Sequence, residues 1–111
     1  MPMYFYRGTF APELKTHILE NARNFEAIMR GSIEAFGGKL DVCFLSATSA
    51  EPIGFVEFKN DLDARSWNLF YGSQHGVTTS DLESLIDYGE LQKIAKRVNQ
   101  CSEKATQHRR L

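Results

Sequence analysis

The sequence predicts an α+β domain in which strands and helices follow the order β-α-β-β-α-β-α. Three observations predict it. Short runs rich in aromatic and β-branched residues are separated by segments whose apolar residues recur every three or four positions. Leu, Ile, Val and Phe together supply 28 of the 111 residues, enough for a hydrophobic core and too many for a disordered chain. The length suits one domain. Net charge is −1, so no overall field selects nucleic acid or a membrane surface.

The first strand is read over Met3 to Phe10. Pro12 opens a helical region, where Ile18, Ala22, Phe25, Met29, Ile33 and Phe36 step by three and four along one face. Gly37 and Gly38 stop it, since glycine accepts the left-handed backbone of a helix C-cap. Leu40 to Ala47 forms a second strand, Thr48 to Pro52 a polar loop, and Ile53 to Phe58 a third strand. Asn60 or Asp61 caps a second helix carrying Leu62, Trp67 and Phe70, and Gly72 and Gly76 bracket its exit. Val77 to Ile86 is a fourth strand. A last helix presents Leu91, Ile94, Ala95 and Val98. After Gln100 the stretch SEKATQHRRL has no periodicity and reads as a flexible basic tail over 101–111. One ferredoxin-like domain over residues 1–100 is therefore expected: a split βαββαβ with a four-stranded antiparallel sheet, plus the C-terminal helix.

Both faces of the central strands are apolar. In the second strand Leu40, Val42 and Phe44 alternate with Cys43, Leu45 and Ala47; in the third, Ile53 and Phe55 oppose Val56 and Phe58. Helices cover one face, so the other must meet the last helix, a ligand or a second copy. A two-fold homodimer through the sheet face is the economical expectation. Charge is also split. Residues 1–89 balance at −5 and residues 90–111 at +4. A basic tail can grip nucleic acid, but a solvated helix whose basic end suits the helix dipole is the ordinary reading.

MPMY, the helix ending in EAFGGKL, DVCFLSATSAEPIGFVEFKND and GVTTSDLESLIDYGELQKI together resemble the GYD-domain proteins, in length and element order, from Met1 to about Val98. The resemblance implies a dimeric α+β-barrel member of the ferredoxin-like folds, in a family whose functions are mostly not established. Where that family carries Gly-x-Tyr-Asp, this chain reads Thr48-Ser49-Ala50-Glu51. Only an acidic residue is kept, so the role of the family's tyrosine does not carry over.

Gly54-Phe55-Val56-Glu57-Phe58 matches the second half of the RNA-recognition signature, and Tyr4, Phe5 and Tyr6 add aromatics for stacking. Against RNA stand Glu51-Pro52 in place of Lys/Arg-Gly, a first helical region too long for that module, and an acidic body. Arg7 and Glu57 are charges inside apolar strands that lie side by side in this topology. They are read either as an ion pair or as the polar floor of a ligand cavity. His75, in a glycine-flanked loop, is the third candidate, as an acid/base group at a cavity mouth. His17, His75 and His108 show no metal-ligand spacing, so neither metal nor cofactor is expected. Cys43 reads as a small hydrophobe in a buried strand. Pro2 is preceded by Met1, which blocks the amine that tautomerases use as a base. There is no nucleophile elbow and no phosphate-cradling glycine loop. Two cysteines far apart, no secretory signal and no apolar run of spanning length suggest a cytoplasmic protein with reduced thiols.

The functional expectation is a small-molecule-binding, regulatory or structural homodimer without cofactor. The rivals are a cofactor-free monooxygenase or isomerase of the dimeric α+β-barrel type, and an RNA-binding module.

Overall fold

In Met3–Phe10 (β1) the aromatic residues Tyr4, Tyr6 and Phe10 all fall on even positions and are buried, as a period of two requires. The computed structural model describes residues 1–109. After β1 come Pro12–Glu20 (α1), Ala22–Ala35 (α2), Lys39–Leu45 (β2), Pro52–Glu57 (β3), Asp61–Gly72 (α3), Val77–Leu85 (β4) and Tyr88–Arg109 (α4). The strands form one antiparallel sheet in the order β2-β3-β1-β4, the ferredoxin-like α+β arrangement expected from the sequence.

The core lies between one sheet face and α1 to α3. Tyr4, Tyr6, Phe10, Leu40, Val56, Phe58 and Leu82 from the sheet side meet Ile18, Met29, Ile33, Ala64, Trp67 and Tyr71 from the helices. Trp67 is fully buried. Its ring lies 5.0 Å from Tyr6, 5.9 Å from Phe58 and 5.3 Å from Tyr71, and its indole N–H donates to Ser32 Oγ at 3.1 Å. Two arginines tie helices to strands. Arg30 donates to the Leu40 carbonyl at 2.8 Å and pairs with Glu26. Arg65 donates to the Leu82 carbonyl and to Ser84 Oγ while pairing with Asp61. Asn60 caps α3 by accepting from the Asp63 N–H at 2.8 Å.

Four features depart from the sequence reading. The first helical region is two helices. At Asn21 (φ −125°, ψ 38°) the side-chain amide donates to the His17 carbonyl, a local bond that competes with helix continuation. Strand β2 is bulged between Leu40 and Val42, so Leu40 faces the core opposite Val56, whereas Val42 and Phe44 face outward opposite Phe55 and Ile53; they do not share one face with Leu40. Arg30 satisfies the Leu40 carbonyl beside the bulge. Arg7 and Glu57 do not pair: Arg7 lies opposite Ile53 and Glu57 opposite Met3, four residues or about 13 Å apart along the strands. Finally, helix continues through 101–109, where a flexible tail was expected; Arg110 and Leu111 lie outside the described residues.

Helix α4 begins where the Asp87 carboxylate accepts from the Glu90 N–H at 2.7 Å, and it stands off the body. Leu91, Ile94 and Val98 are 44%, 44% and 56% exposed. The radius of gyration is 17.9 Å and the extents are 57 × 31 × 24 Å, against about 13 Å for a compact domain near this length.

Candidate functional site

The helix side carries a half-enclosed apolar groove of about 220 Å³. Three local features build it. Asn21 separates α1 from α2, and it lines the groove together with residues of both helices. Gly76, in the left-handed region at φ 86°, lets the turn after α3 press onto α1; a Cβ there would sit 2.8 Å from Leu14 Cβ. The Ala11 N–H donates to the Gly76 carbonyl at 2.7 Å and fixes that contact.

The floor is apolar: Leu14 and Ile18 from α1, Phe25 and Ile28 from α2, and Val77 at the start of β4. Tyr71 lines it as well and continues into the core through its stacked contact with Trp67. Burial, then the neighbouring Tyr6 and Cys43, push the Tyr71 phenol well above its ordinary value; it stays protonated at neutral pH and offers a neutral O–H. The rim is polar, with His17, Asn21, Gln74 and His75. His17 and His75 also border the open depression next to the groove, with Glu13 and Thr78. Both imidazoles are exposed. Each ring carries two nitrogens able to hydrogen-bond a ligand.

The sequence candidates are thereby separated. His75 belongs to the groove. Arg7 and Glu57 lie on the opposite, helix-free face of the sheet, where Arg7 is flanked by Ile53 and Asp81 and Glu57 by Met3 and Lys39. No single cavity joins the three. The partner that spacing missed is His17, 58 positions from His75. Its only advance signal was indirect: Asn21 as a helix breaker, and glycine-flanked His75 as the tip of a turn. His108 is exposed on α4. Cys43 is half-buried against the core, and burial raises its thiol. Among the described residues, no group of three His, Cys, Asp or Glu side chains could hold a metal ion, and no helix is long and apolar enough to cross a membrane.

The helix-free face is the second notable surface. It presents Met3, Phe5 and Arg7 from β1, Val42 and Phe44 from β2, Ile53, Phe55 and Glu57 from β3, and Asp81, Glu83 and Leu85 from β4. Phe5 and Phe55 meet edge to face at 5.5 Å, and Phe44 is 63% exposed. Of the aromatics that the RNA reading offers for stacking, Tyr4, Tyr6 and Phe58 are buried in the core, while Phe5 and Phe55 lie on this open face. No family model, curated protein or solved structure matches this chain.

Proposed function

We propose that the protein is a homodimeric small-molecule-binding protein, with the α1–α2–α3 groove as its ligand site and the helix-free sheet face as its dimer interface. The observation that carries the reading is the groove itself: an apolar floor under a rim of four hydrogen-bonding side chains, the composition of a ligand site. Its volume lies below the range of about 300–1,000 Å³ for drug-sized ligands, so the ligand is small. It has an apolar body and a polar or anionic end that the two imidazoles and Tyr71 receive. A cytoplasmic location is supported by the two free cysteines. Distant kinship with GYD-domain proteins is supported by the shared element order. The enzyme reading called for Arg7, Glu57 and His75 around one cavity, which their placement does not supply.

The test is native mass spectrometry of protein purified from its host, followed by titration with benzoate and octanoate read by Trp67 emission, since Trp67 stacks on Tyr71. Retained ligand or saturable quenching, lost in Ile28→Arg, supports the reading; Ile28 is 66% exposed, so that change blocks the groove without a core defect. No retained ligand and no saturation would remove it. Conversion of the retained ligand that depends on His75 would replace it with the enzyme reading.

A further inference from the structure

We infer that the layer lying against each helix-free sheet face is α4 of the second copy, so that the two chains exchange their C-terminal helices. This rests on the dimer reading above and says which surfaces meet.

Two unpartnered surfaces occur in the same chain. One is the sheet face around Phe5, Phe44 and Phe55. The other is α4, where Leu91, Ile94, Val98, Cys101 and Ala105 recur by three and four and fall on one side of the helix. A stripe of this kind is stable when it is buried against another layer, and helix on sheet is one of the few layer solutions. Its own domain does not bury it, as the exposure of Leu91, Ile94 and Val98 shows. The link from β4 is only Ile86 and Asp87, and β4 is an edge strand. At about 1.5 Å per residue the 22 residues of α4 span about 33 Å. Four strands at about 4.8 Å are about 19 Å wide. The molecule is 57 Å long in its longest dimension, so the helix can reach a second copy.

Charge matches as well. Lys93, Arg97 and Lys104 follow one edge of the α4 stripe, and all are exposed. The sheet face offers Asp81 and Glu83 on β4, exposed, and Glu57 on β3, with Arg7 beside Asp81 and Lys39 beside Glu57, so three carboxylates stand against two cations. Among the described residues none of the three α4 cations and none of these three carboxylates makes an ion pair.

The test uses two full-length variants: Lys93→Glu/Arg97→Glu/Lys104→Glu on the helix and Asp81→Lys/Glu83→Lys on the sheet. Sedimentation velocity at about 10 μM is expected to show a wild-type dimer, at least tenfold weaker self-association for each variant, and recovery of the dimer when the two variants are mixed. Mixing restores opposite charges only if helix and sheet belong to different chains. Weakened variants that do not recover on mixing would overturn the inference in favour of a helix docked on its own sheet. Variants that dimerise as wild type does would also overturn it, while leaving a dimer of sheet against sheet. A monomeric wild type would overturn the dimer reading and this inference together. Should a charge variant fail to fold by circular dichroism, single Ile94→Asp and Val98→Asp changes at exposed positions carry the decision: loss of the dimer supports the inference and its retention overturns it.

Discussion

Replacing Trp67 with alanine removes the centre of the core. The indole is fully buried between Tyr6, Phe58 and Tyr71 and hydrogen-bonded to Ser32. Truncating a buried Trp costs about 3–5 kcal/mol through lost transfer energy and the cavity left behind. The lost N–H···O bond adds about 1 kcal/mol. It adds no more, because the Ser32 hydroxyl also donates to the Met29 carbonyl at 2.7 Å and is not orphaned. The rings around the cavity are held by separate contacts, Tyr6 to Tyr71 at 5.7 Å and Phe10 to Tyr71 at 6.3 Å, so the site does not collapse to fill the void. The expected loss is about 4–6 kcal/mol, a large part of the roughly 5–15 kcal/mol that stabilises a domain. Trp67→Phe keeps an aromatic ring and loses the N–H, so it falls between wild type and alanine. Urea unfolding by far-ultraviolet circular dichroism reads both variants, at several protein concentrations because a dimer gains stability by mass action. A Trp67→Ala variant within about 1 kcal/mol of wild type would refute the reasoning, since that is the behaviour of a surface position.

Gly38→Ala places a Cβ 2.5 Å from the Phe58 ring and 2.8 Å from Ile33 Cγ2; overpacking of this kind is expected to cost about 1–3 kcal/mol in the same urea assay. Asn60→Ala removes the α3 cap and should cost about 1 kcal/mol, whereas Asn60→Ser should restore most of it. The phenols of Tyr6 and Tyr71 are raised chiefly by burial. Above about pH 10 the unfolded chain releases these protons while the native state keeps them, so stability is full below that pH and falls as pH rises. Unfolding midpoints measured from pH 8 to 11 should show the fall, and Tyr71→Phe should make it shallower.

What could be read in advance follows from the range of each interaction. Element types and order came through because periodicity and glycine stops are local signals. Gly37, at φ 79°, ends α2 as anticipated. The facing of β2 was misjudged because a bulge shifts the alternation by one residue. Nothing in Leu40-Asp41-Val42 announces the bulge, and the Arg30 side chain that satisfies the Leu40 carbonyl comes from ten residues upstream. The separation of Arg7 from Glu57 is likewise a matter of register. Neighbouring strands were correctly inferred, but which residues oppose one another is fixed only in the assembled sheet. The groove was invisible for the same reason: His17 and His75 come to border one groove only where Gly76 brings its turn against Leu14.

On the helix-exchange proposal, the two-sided apolar character of the sheet and the continuation of α4 follow from a single arrangement. Residues 101–109 carry few apolar side chains, so their own periodicity is weak. Cys101 and Ala105 nevertheless extend the line of Leu91, Ile94 and Val98 at helical spacing. An exposed helix of this length gains little from propensity alone, and most helical stability in proteins comes from packing an amphipathic face. A helix that runs to Arg109 with Leu91, Ile94 and Val98 exposed therefore calls for a surface elsewhere. The sheet face around Phe44 and Phe55, apolar at its centre and acidic along β4, is the surface of matching character that this chain itself provides.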